Sequence, residues 1–182
     1  MEFKLAETHE ELRQILEVQR ENHPDALSQD QADQKGFVTV RHSIELIEQM
    51  NAVAPHVIAV HEGQVVGYAL VMLKEFRDMI PVLIPMFEMF EQIEYKGRGL
   101  SDLNFYLMGQ ICVKDGFKRR GIFSKLYAKH KEVYSKTFDY CVTEVSSSNV
   151  PSMKAHEKLG FETIHSFQDE TDDWHILLWD FA

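Results

Sequence analysis

The sequence predicts a mixed α/β fold, and the pattern that predicts it lies between Tyr106 and Phe161. Two apolar runs, Tyr106–Val113 and Tyr140–Val145, are typical of buried strands. A basic turn that contains glycine, residues 117–121, separates the first run from an amphipathic segment. A short helical pattern follows the second run and ends at Leu159-Gly160-Phe161. The order of elements is therefore strand, turn, helix, strand and helix.

Apolar runs bounded by turn residues predict the remaining strands. The predicted strands are Phe3–Glu7, His56–His61, Gln64–Leu73, Phe105–Val113, Tyr140–Val145, Phe161–Phe167 and Trp174–Phe181. Glu62-Gly63 is a hairpin signal between the second and third of them.

Helical periodicity predicts helices at Glu10–Asn22, Ser43–Met50 and Ile122–Tyr134. Asn149 is a good N-cap for a further short helix, and Gly160 is a natural stop for it. Asp25–Lys35 is polar and predicts a loop or a short irregular helix.

The stretch Asp78–Ile93 is rich in methionine and phenylalanine and contains Pro81 and Pro85. It is interpreted first as a core helix with a proline start, and alternatively as an apolar wall beside a substrate pocket. The glycine-rich Tyr95–Gly99 that follows predicts a mobile loop.

Composition restricts the class of protein. A chain of 182 residues with 45% hydrophobic and 26% charged residues predicts one globular domain, residues 1–182. The net charge of -10 argues against nucleic-acid binding. Met1-Glu2-Phe3-Lys4 lacks the apolar segment of a signal peptide, and no apolar run is long enough to span a bilayer. We therefore expect a cytoplasmic protein that does not enter a membrane.

The basic turn predicts an anion site. Unpaired N–H groups and the positive end of a helix dipole favour a phosphate there. Gly116 and Gly121 have the glycine spacing of a P-loop, but Ile122 and Phe123 replace the lysine and the hydroxyl that nucleotide hydrolysis needs. What remains is a pyrophosphate cradle of backbone amides from Arg119 to Ser124. The alternative is a basic helix cap that faces only solvent.

The residues on either side of the turn carry a family resemblance. Residues 111–123, ICVKDGFKRRGIF, resemble the acetyl-CoA-binding motif of the GNAT superfamily of N-acetyltransferases. Residues 149–161, NVPSMKAHEKLGF, resemble the next motif of that family at a fitting spacing. Three residues depart from the family pattern: Lys118 replaces Gln or Arg, Phe123 replaces a small residue, and His156 replaces a tyrosine.

The resemblance implies the GNAT fold, a central mixed sheet with one splayed parallel strand pair and helices on both faces. It also implies acetyl-CoA as cosubstrate, with the pantetheine arm bonded to the first splayed strand. The cofactor-binding positions that it implies are Ile111, Cys112, Val113, Lys118, Arg119, Arg120, Gly121, Ile122, Phe123, Ser124, Asn149 and Ser152.

The resemblance implies two catalytic candidates, Glu144 near the end of the second apolar run and His156 within the second motif. Glu144 matches the general-base glutamate of the branch that acetylates ribosomal-protein N-termini, and alternatively it is a strand-edge carboxylate that faces solvent or pairs with a lysine. His156 matches the tyrosine that protonates the thiolate, and alternatively it is an ordinary packed histidine. His156-Glu157-Lys158-Leu159-Gly160 lacks the second histidine of a zinc motif, so we expect no metal.

The leading functional hypothesis is N-acetyl transfer from acetyl-CoA to a primary amine by direct attack in a ternary complex. The alternative is a domain that binds CoA as a sensor or interaction module without turnover. The acceptor, a small molecule or a peptide, stays open, as does a homodimer, which is a habit of the family.

Overall fold

The computed structural model describes residues 1–28, 36–170 and 172–182, and their core is one seven-stranded sheet. The strands are β1 (Glu2–Leu5), β2 (Val57–His61), β3 (Gln64–Met72), β4 (Glu94–Tyr95), β5 (Arg98–Gly99), β6 (Phe105–Val113), β7 (Tyr140–Ser146), β8 (Glu162–Gln168) and β9 (Asp173–Asp180). The seven-stranded sheet has the order β1-β2-β3-β6-β7-β9-β8, while β4 and β5 form a separate hairpin. Only β6 and β7 pair in parallel within this part of the chain. The predicted mixed sheet with one parallel pair is confirmed.

Helices cover both faces of this sheet, as predicted. They are α1 (His9–Glu21), α2 (Ile44–Val53), α3 (Ile84–Phe90), α4 (Ile122–Tyr134) and α5 (Val150–Leu159). One face packs against α4 and α5 through an apolar cluster that includes Leu126 and Tyr127. The other face packs against α1 and α2 at one end and against the segment 74–103 at the other. Central strand β3 is buried along eight of its nine residues because it is covered on both faces.

Local sequence signals explain where the helices begin and end. Thr8 and Glu11 form a capping box at the start of α1, and Pro24 opens a single 3-10 turn after it. Asn149 caps α5 by accepting from the N–H of Ser152, and Gly160 ends α5 in the left-handed conformation, at φ 93°. The predicted loop at Asp25–Lys35 lies partly at residues 29–35, outside the described residues.

The apolar stretch after β3 is core, but the single helix predicted for it is wrong. It consists of 3-10 turns at Lys74–Met79 and Pro81–Leu83, followed by the short α3. Pro81 lies in the first residues of the second 3-10 turn and Pro85 in those of α3, because a proline has no N–H to donate inside a helix. Phe76, Phe87 and Phe90 are buried against the sheet.

The loop predicted at Tyr95–Gly99 is also wrong, because these residues belong to the hairpin of β4 and β5. Lys96 and Gly97 are both left-handed, with φ of 50° and 77°, which matches a two-residue hairpin turn. The Lys96 ammonium donates to the Asp180 carboxylate at 2.8 Å, so the hairpin is tied to β9. The sequence did not reveal it because a lysine in the left-handed region is uncommon.

Three histidines are packed in the interior, His56, His130 and His156, with 0–1% of each exposed. Burial lowers the pKa of these imidazoles to about 3, about 3 and about 4 respectively. The folded chain therefore binds fewer protons than the unfolded chain below a pH of about 6.5. Glu144 opposes them, since burial raises its carboxyl pKa to about 7. Because three histidines outweigh one glutamate, the free energy of unfolding should decrease as the pH is lowered below about 6.5.

In His130→Gln, the unfolded chain should take up about one proton fewer on unfolding. The slope of the free energy of unfolding against pH should therefore be smaller by about 1.4 kcal/mol per pH unit between about pH 6 and pH 5. The glutamine cannot be protonated, so it carries no cost for burying a cation. Urea unfolding at a series of pH values measures the slope. An unchanged slope in His130→Gln would mean that the histidine is not held neutral by the fold.

Candidate functional site

The site begins where β6 and β7 separate. The two strands pair only from Phe105 to Leu107 on β6, although β6 continues to Val113. At the point of separation, the Thr143 hydroxyl donates to the Met108 carbonyl at 3.0 Å. Beyond it, the edge of β6 that faces β7 has no ladder partner among the described residues.

A β-bulge at Gly109 accompanies this separation. On β3, Leu70 is paired with Gln110 and Val71 with Met108, so Gly109 is the extra residue. A Cβ atom at Gly109 would lie 3.3 Å from the Cβ of Met72, which is a tight contact. The bulge bends β6 at the position where the parallel partner leaves it.

A groove of about 770 Å³ lies between the free end of β6, the start of α4 and the first turns of α5. Every predicted cofactor-binding position lines it: Ile111, Cys112, Val113, Lys118, Arg119, Arg120, Gly121, Ile122, Phe123, Ser124, Asn149 and Ser152. The structure therefore brings together two motifs that lie about thirty residues apart in the chain.

The glycine-bearing turn gives one end of this groove the geometry of an anion site. Gly121 precedes α4 in the left-handed conformation, at φ 75°, and Arg119 is also left-handed, at φ 63°. No side chain caps α4 within the described residues, and its first turn contains no acidic residue. The first N–H groups of α4 therefore face the groove without a capping carboxylate.

The basic side chains of the turn are partly engaged within the chain. The Lys118 ammonium donates to the Asn22 side-chain oxygen at 2.9 Å, which ties the turn to the end of α1. The Arg120 guanidinium lies 5.2 Å from the centre of the Phe117 ring. Lys158 on α5 adds a cation on the opposite wall of the groove, a position that the sequence motifs did not indicate.

Phe123, the departure from a small residue, packs against its neighbours. Its ring meets the His156 ring edge to face, with the centres 5.1 Å apart, and lies 5.2 Å from the Tyr127 ring. The phenylalanine thus fills the space between α4 and α5, while its backbone N–H remains in the first turn of α4.

Residues 36–40, which we call the strap, cross one side of the groove. Four hydrogen bonds from described residues hold the strap. The Val38 N–H donates to the Asn22 carbonyl at 3.2 Å, and the Asn149 amide donates to the Phe37 carbonyl at 3.0 Å. His23 Nε2 donates to the Thr39 carbonyl at 3.2 Å, and the Gln110 amide donates to the Val40 carbonyl at 2.9 Å. The strap was not predicted from the sequence, because a run as short as Phe37–Val40 does not show which distant residues bind it.

A second cavity, of about 80 Å³, adjoins the groove at the separation of β6 and β7 and shares Ile111, Asn149 and Ser152 with it. We call it the acceptor cavity. Both predicted catalytic residues, Glu144 and His156, line it. They approach from opposite faces of the sheet, because Glu144 is on β7 while His156 is on α5, which packs on the face of α4.

Glu144 has the environment of a base that works near neutral pH. Its Oε2 atom is buried and has no hydrogen-bond partner among the described residues. Burial raises the pKa of its carboxyl to about 7, and the nearby charge of Asp169 adds to the rise. No described lysine pairs with Glu144, and its half-buried side chain differs from the solvent-facing alternative.

His156 is held at both ring nitrogens. Nδ1 lies 2.8 Å from the Ser152 carbonyl, which can only accept, so Nδ1 carries the proton. The Tyr127 hydroxyl then donates to Nε2 over 2.7 Å. Burial lowers the pKa of the imidazole to about 4, which makes it neutral at pH 7. Its role as an acid stays a prediction and requires that Nδ1 release the Ser152 carbonyl.

Trp174 also lines the acceptor cavity, from β9, and was not singled out from the sequence. It directly follows the acidic segment 169–173, which was interpreted only as a connection between strands. A tryptophan beside the sheet edge has no local signature that separates a core role from a binding role.

Neither cysteine is a candidate nucleophile. Cys112 and Cys141 are buried free thiols, and burial raises the pKa of each to about 12. Their thiolate forms are therefore scarce at neutral pH. The described residues contain no group of three or more histidine, cysteine, aspartate or glutamate side chains that could hold a metal ion.

None of the described helices combines the length and apolar character needed to cross a membrane.

The chain is similar to acetyltransferases both in sequence and in fold. A sequence model of the acetyltransferase (GNAT) family matches residues 9–161. The fold is similar to that of the ribosomal-protein-S18-alanine N-acetyltransferase from Escherichia coli, with TM-score 0.67 and 13% identity over 100% of this chain and 94% of that one. It is also similar to an N-acetyltransferase from Staphylococcus aureus Mu50, with TM-score 0.64 and 18% identity over 100% and 98% of the two chains.

A third similar structure, yncA from Salmonella typhimurium, was solved with its cofactor acetyl-CoA; its TM-score is 0.64 and its identity 13% over 100% of this chain and 94% of that one. A search of curated protein sequences gave no match. At these identities the solved structures establish the fold alone.

Asn149 connects α5 with the strap, and replacing it should destabilise the chain. Asn149→Ala removes the cap of α5 and the bond to Phe37, so we expect a loss of about 1–3 kcal/mol in the free energy of unfolding. Asn149→Asp is the matched control because it keeps an acceptor for the helix cap and loses only the amide donor. Urea unfolding of both variants measures the two contributions. Equal stability of Asn149→Ala and the unaltered protein would contradict this account of the strap.

Proposed function

Since the chain belongs to the acetyltransferase (GNAT) family, we propose that it transfers an acetyl group from acetyl-CoA to a primary amine. The observation that carries this proposal is the junction of the groove with the acceptor cavity at the separation of β6 and β7. The groove begins at an uncapped helix N-terminus, and the cavity contains a half-buried carboxyl group whose pKa lies near neutrality.

The residues of the groove fit acetyl-CoA. Backbone N–H groups from Gly121 to Ser124 are suited to the pyrophosphate, with Arg119 and Arg120 nearby. The free edge of β6 at Ile111–Val113 is suited to the amide groups of the pantetheine arm, which would add to it as an extra strand. Asn149 and Ser152 stand on the opposite wall. Acetyl-CoA supplies an acyl group already activated as a thioester.

Glu144 is the proposed base. A primary amine is mostly protonated at pH 7, and only its neutral form is a nucleophile. Glu144 accepts the proton at its carboxylate, directly or through one water molecule. Its raised pKa matches this task, because a carboxylate of ordinary pKa is a weak base at neutral pH.

The surrounding residues position the reactants and restrict water. The strap and Trp174 enclose the acceptor cavity from two sides. Backbone N–H groups along the free edge of β6 are proposed to stabilise the negative charge that develops on the carbonyl oxygen. Because Cys112 and Cys141 are buried and protonated, the amine is proposed to attack directly, with no acyl group passed to the protein.

As the amide C–N bond forms, the thioester C–S bond breaks, and CoA is proposed to leave as a thiolate that takes its proton from solvent. His156 is proposed to position the Ser152 hydroxyl, which would donate a hydrogen bond to the departing sulfur. The Ser152 hydroxyl lies 3.3 Å from His156 Nδ1 and lines both the groove and the acceptor cavity. In this role His156 keeps its Nδ1 proton on the Ser152 carbonyl, so no proton transfer from the imidazole is needed.

Glu144→Gln should separate catalysis from binding. We expect kcat to fall about 100-fold or more at about pH 7.5, because a glutamine cannot accept a proton. The affinity for acetyl-CoA, measured by calorimetry, should be unchanged, since Glu144 lies outside the groove. In the unaltered enzyme kcat at saturating amine should rise with pH around about 7, as the carboxyl deprotonates.

Two controls sharpen this measurement. Glu162→Gln changes an exposed glutamate on β8 and should leave the profile intact. Asp169→Asn removes a charge that raises the Glu144 pKa, so the midpoint of the profile should move to lower pH. A pH profile that is the same in Glu144→Gln excludes Glu144 as the base. Binding of acetyl-CoA without release of CoA thiol to any amine would favour the non-catalytic hypothesis.

A further inference from the structure

Two buried polar atoms beside the acceptor cavity have no partner in the described part of the chain. One is Oε2 of Glu144 and the other is Nε1 of Trp174, and both residues line this cavity. A carboxylate oxygen accepts hydrogen bonds, whereas an indole N–H only donates. Buried polar groups are nearly always paired in folded proteins. A ligand in the cavity that donates a hydrogen bond to Glu144 Oε2 and accepts one from Trp174 Nε1 would pair both atoms.

The register of the sheet places the two side chains close together. Glu144 is paired with Ile176, and Ser146 with Trp174, so Glu144 and Trp174 are diagonal neighbours across β7 and β9. Such neighbours share one face of the sheet, with Cβ atoms about 7 Å apart or less. An occupant that contacts both therefore needs its donor and its acceptor within a few atoms of each other.

Charge restricts the occupant further. None of the described residues that line the cavity is a lysine or an arginine. His156 is buried and neutral at pH 7. The adjacent loop adds negative charge, because Asp172 is fixed at the end of β7 by the hydroxyls of Ser146 and Ser148. A carboxylate in the cavity would have no cation to pair with, whereas an amide carbonyl needs none.

We propose, on the basis of the function proposed above, that the acceptor is the N-terminal residue of a peptide. Its α-amine is bound at Glu144, and its first carbonyl oxygen accepts from the Trp174 indole N–H. The nitrogen and this oxygen are about 3 Å apart in an α-amino acyl group, which suits two adjacent side chains. Trp174 is then a specificity-determining residue.

Two other kinds of amine fit the cavity less well. A lysine side chain or a simple alkylamine has no oxygen beside its amine, so Trp174 would stay unpaired when the cavity is filled. A free amino acid has the oxygen, but it also brings a carboxylate to a cavity without cations. The order of preference is therefore peptide N-terminus first, with both others weaker.

The test compares three acceptors with acetyl-CoA: a short peptide amide with a free N-terminus, n-butylamine, and the matching free amino acid. We expect kcat/KM for the peptide to exceed that for butylamine by about 10-fold or more. Trp174→Phe keeps the aromatic ring and removes the N–H, so the peptide should lose about 10-fold while butylamine is unaffected. Trp179→Phe, the same exchange in the core cluster on the other face, is the matched control and should keep the preference.

The outcomes are distinct. Equal rates for peptide and butylamine, or a higher rate for the free amino acid, overturn the assignment of the acceptor and leave the acetyltransferase proposal intact. An unchanged preference in Trp174→Phe, with acetyl-CoA affinity preserved, overturns the role of Trp174. Failure to acetylate any of the three, despite acetyl-CoA binding, contradicts the proposed function and this inference with it.

Discussion

The loss of pairing between the parallel strands β6 and β7 after Leu107 is the constraint on which the rest of the site depends. A sheet that stayed paired to Val113 would bury the backbone groups of β6 and close the space between the strands. The extra residue at Gly109 bends β6 while its pairing with β3 continues on the other side. The groove and the acceptor cavity both lie beside this bent, unpaired end of β6.

A buried polar network fixes the separated strand in place. Gln110, the residue after the bulge, accepts from the Tyr68 hydroxyl and from the Gln19 amide, each at 2.6 Å. Its own amide donates to the Val40 carbonyl of the strap. Every polar atom of the Gln110 side chain is thus engaged, and a fully paired network of this kind holds one arrangement of its parts. The strap, α1 and β6 are joined through a single side chain.

The groove was predictable from sequence, whereas the enclosure of the acceptor cavity was not. Gly121, the basic residues around it and the Asn149 cap are local signals, and the bounds of α4 follow from periodicity alone. The strap is held by bonds from Gln110 and Asn149, which are about seventy and more than a hundred residues away, and no local pattern carries such contacts. The position of Glu144 relative to Asn149 and His156 was visible in the sequence, but its buried oxygen and raised pKa depend on packing around β7 and β9.

The departures at Phe123 and His156 are related in the structure. The two side chains pack edge to face, and the Tyr127 hydroxyl donates to the histidine. The backbone of Phe123 lies in the first turn of α4, while its side chain points to His156 on α5. This packing accommodates a large residue at that position. Sequence comparison treats the two positions as separate departures, while their packing makes them one aromatic unit.

The most direct test of this account is a calorimetric titration of the chain with acetyl-CoA, alongside CoA and ATP with magnesium. Gly121→Trp, which places a large side chain at the open, left-handed position before α4, is titrated in parallel after urea unfolding has shown that it folds. The account predicts saturable binding of both CoA species by the unaltered chain, no binding of ATP with magnesium, and loss of acetyl-CoA binding in Gly121→Trp. Equal acetyl-CoA affinity in the two proteins would show that the groove at the turn is not the cofactor site.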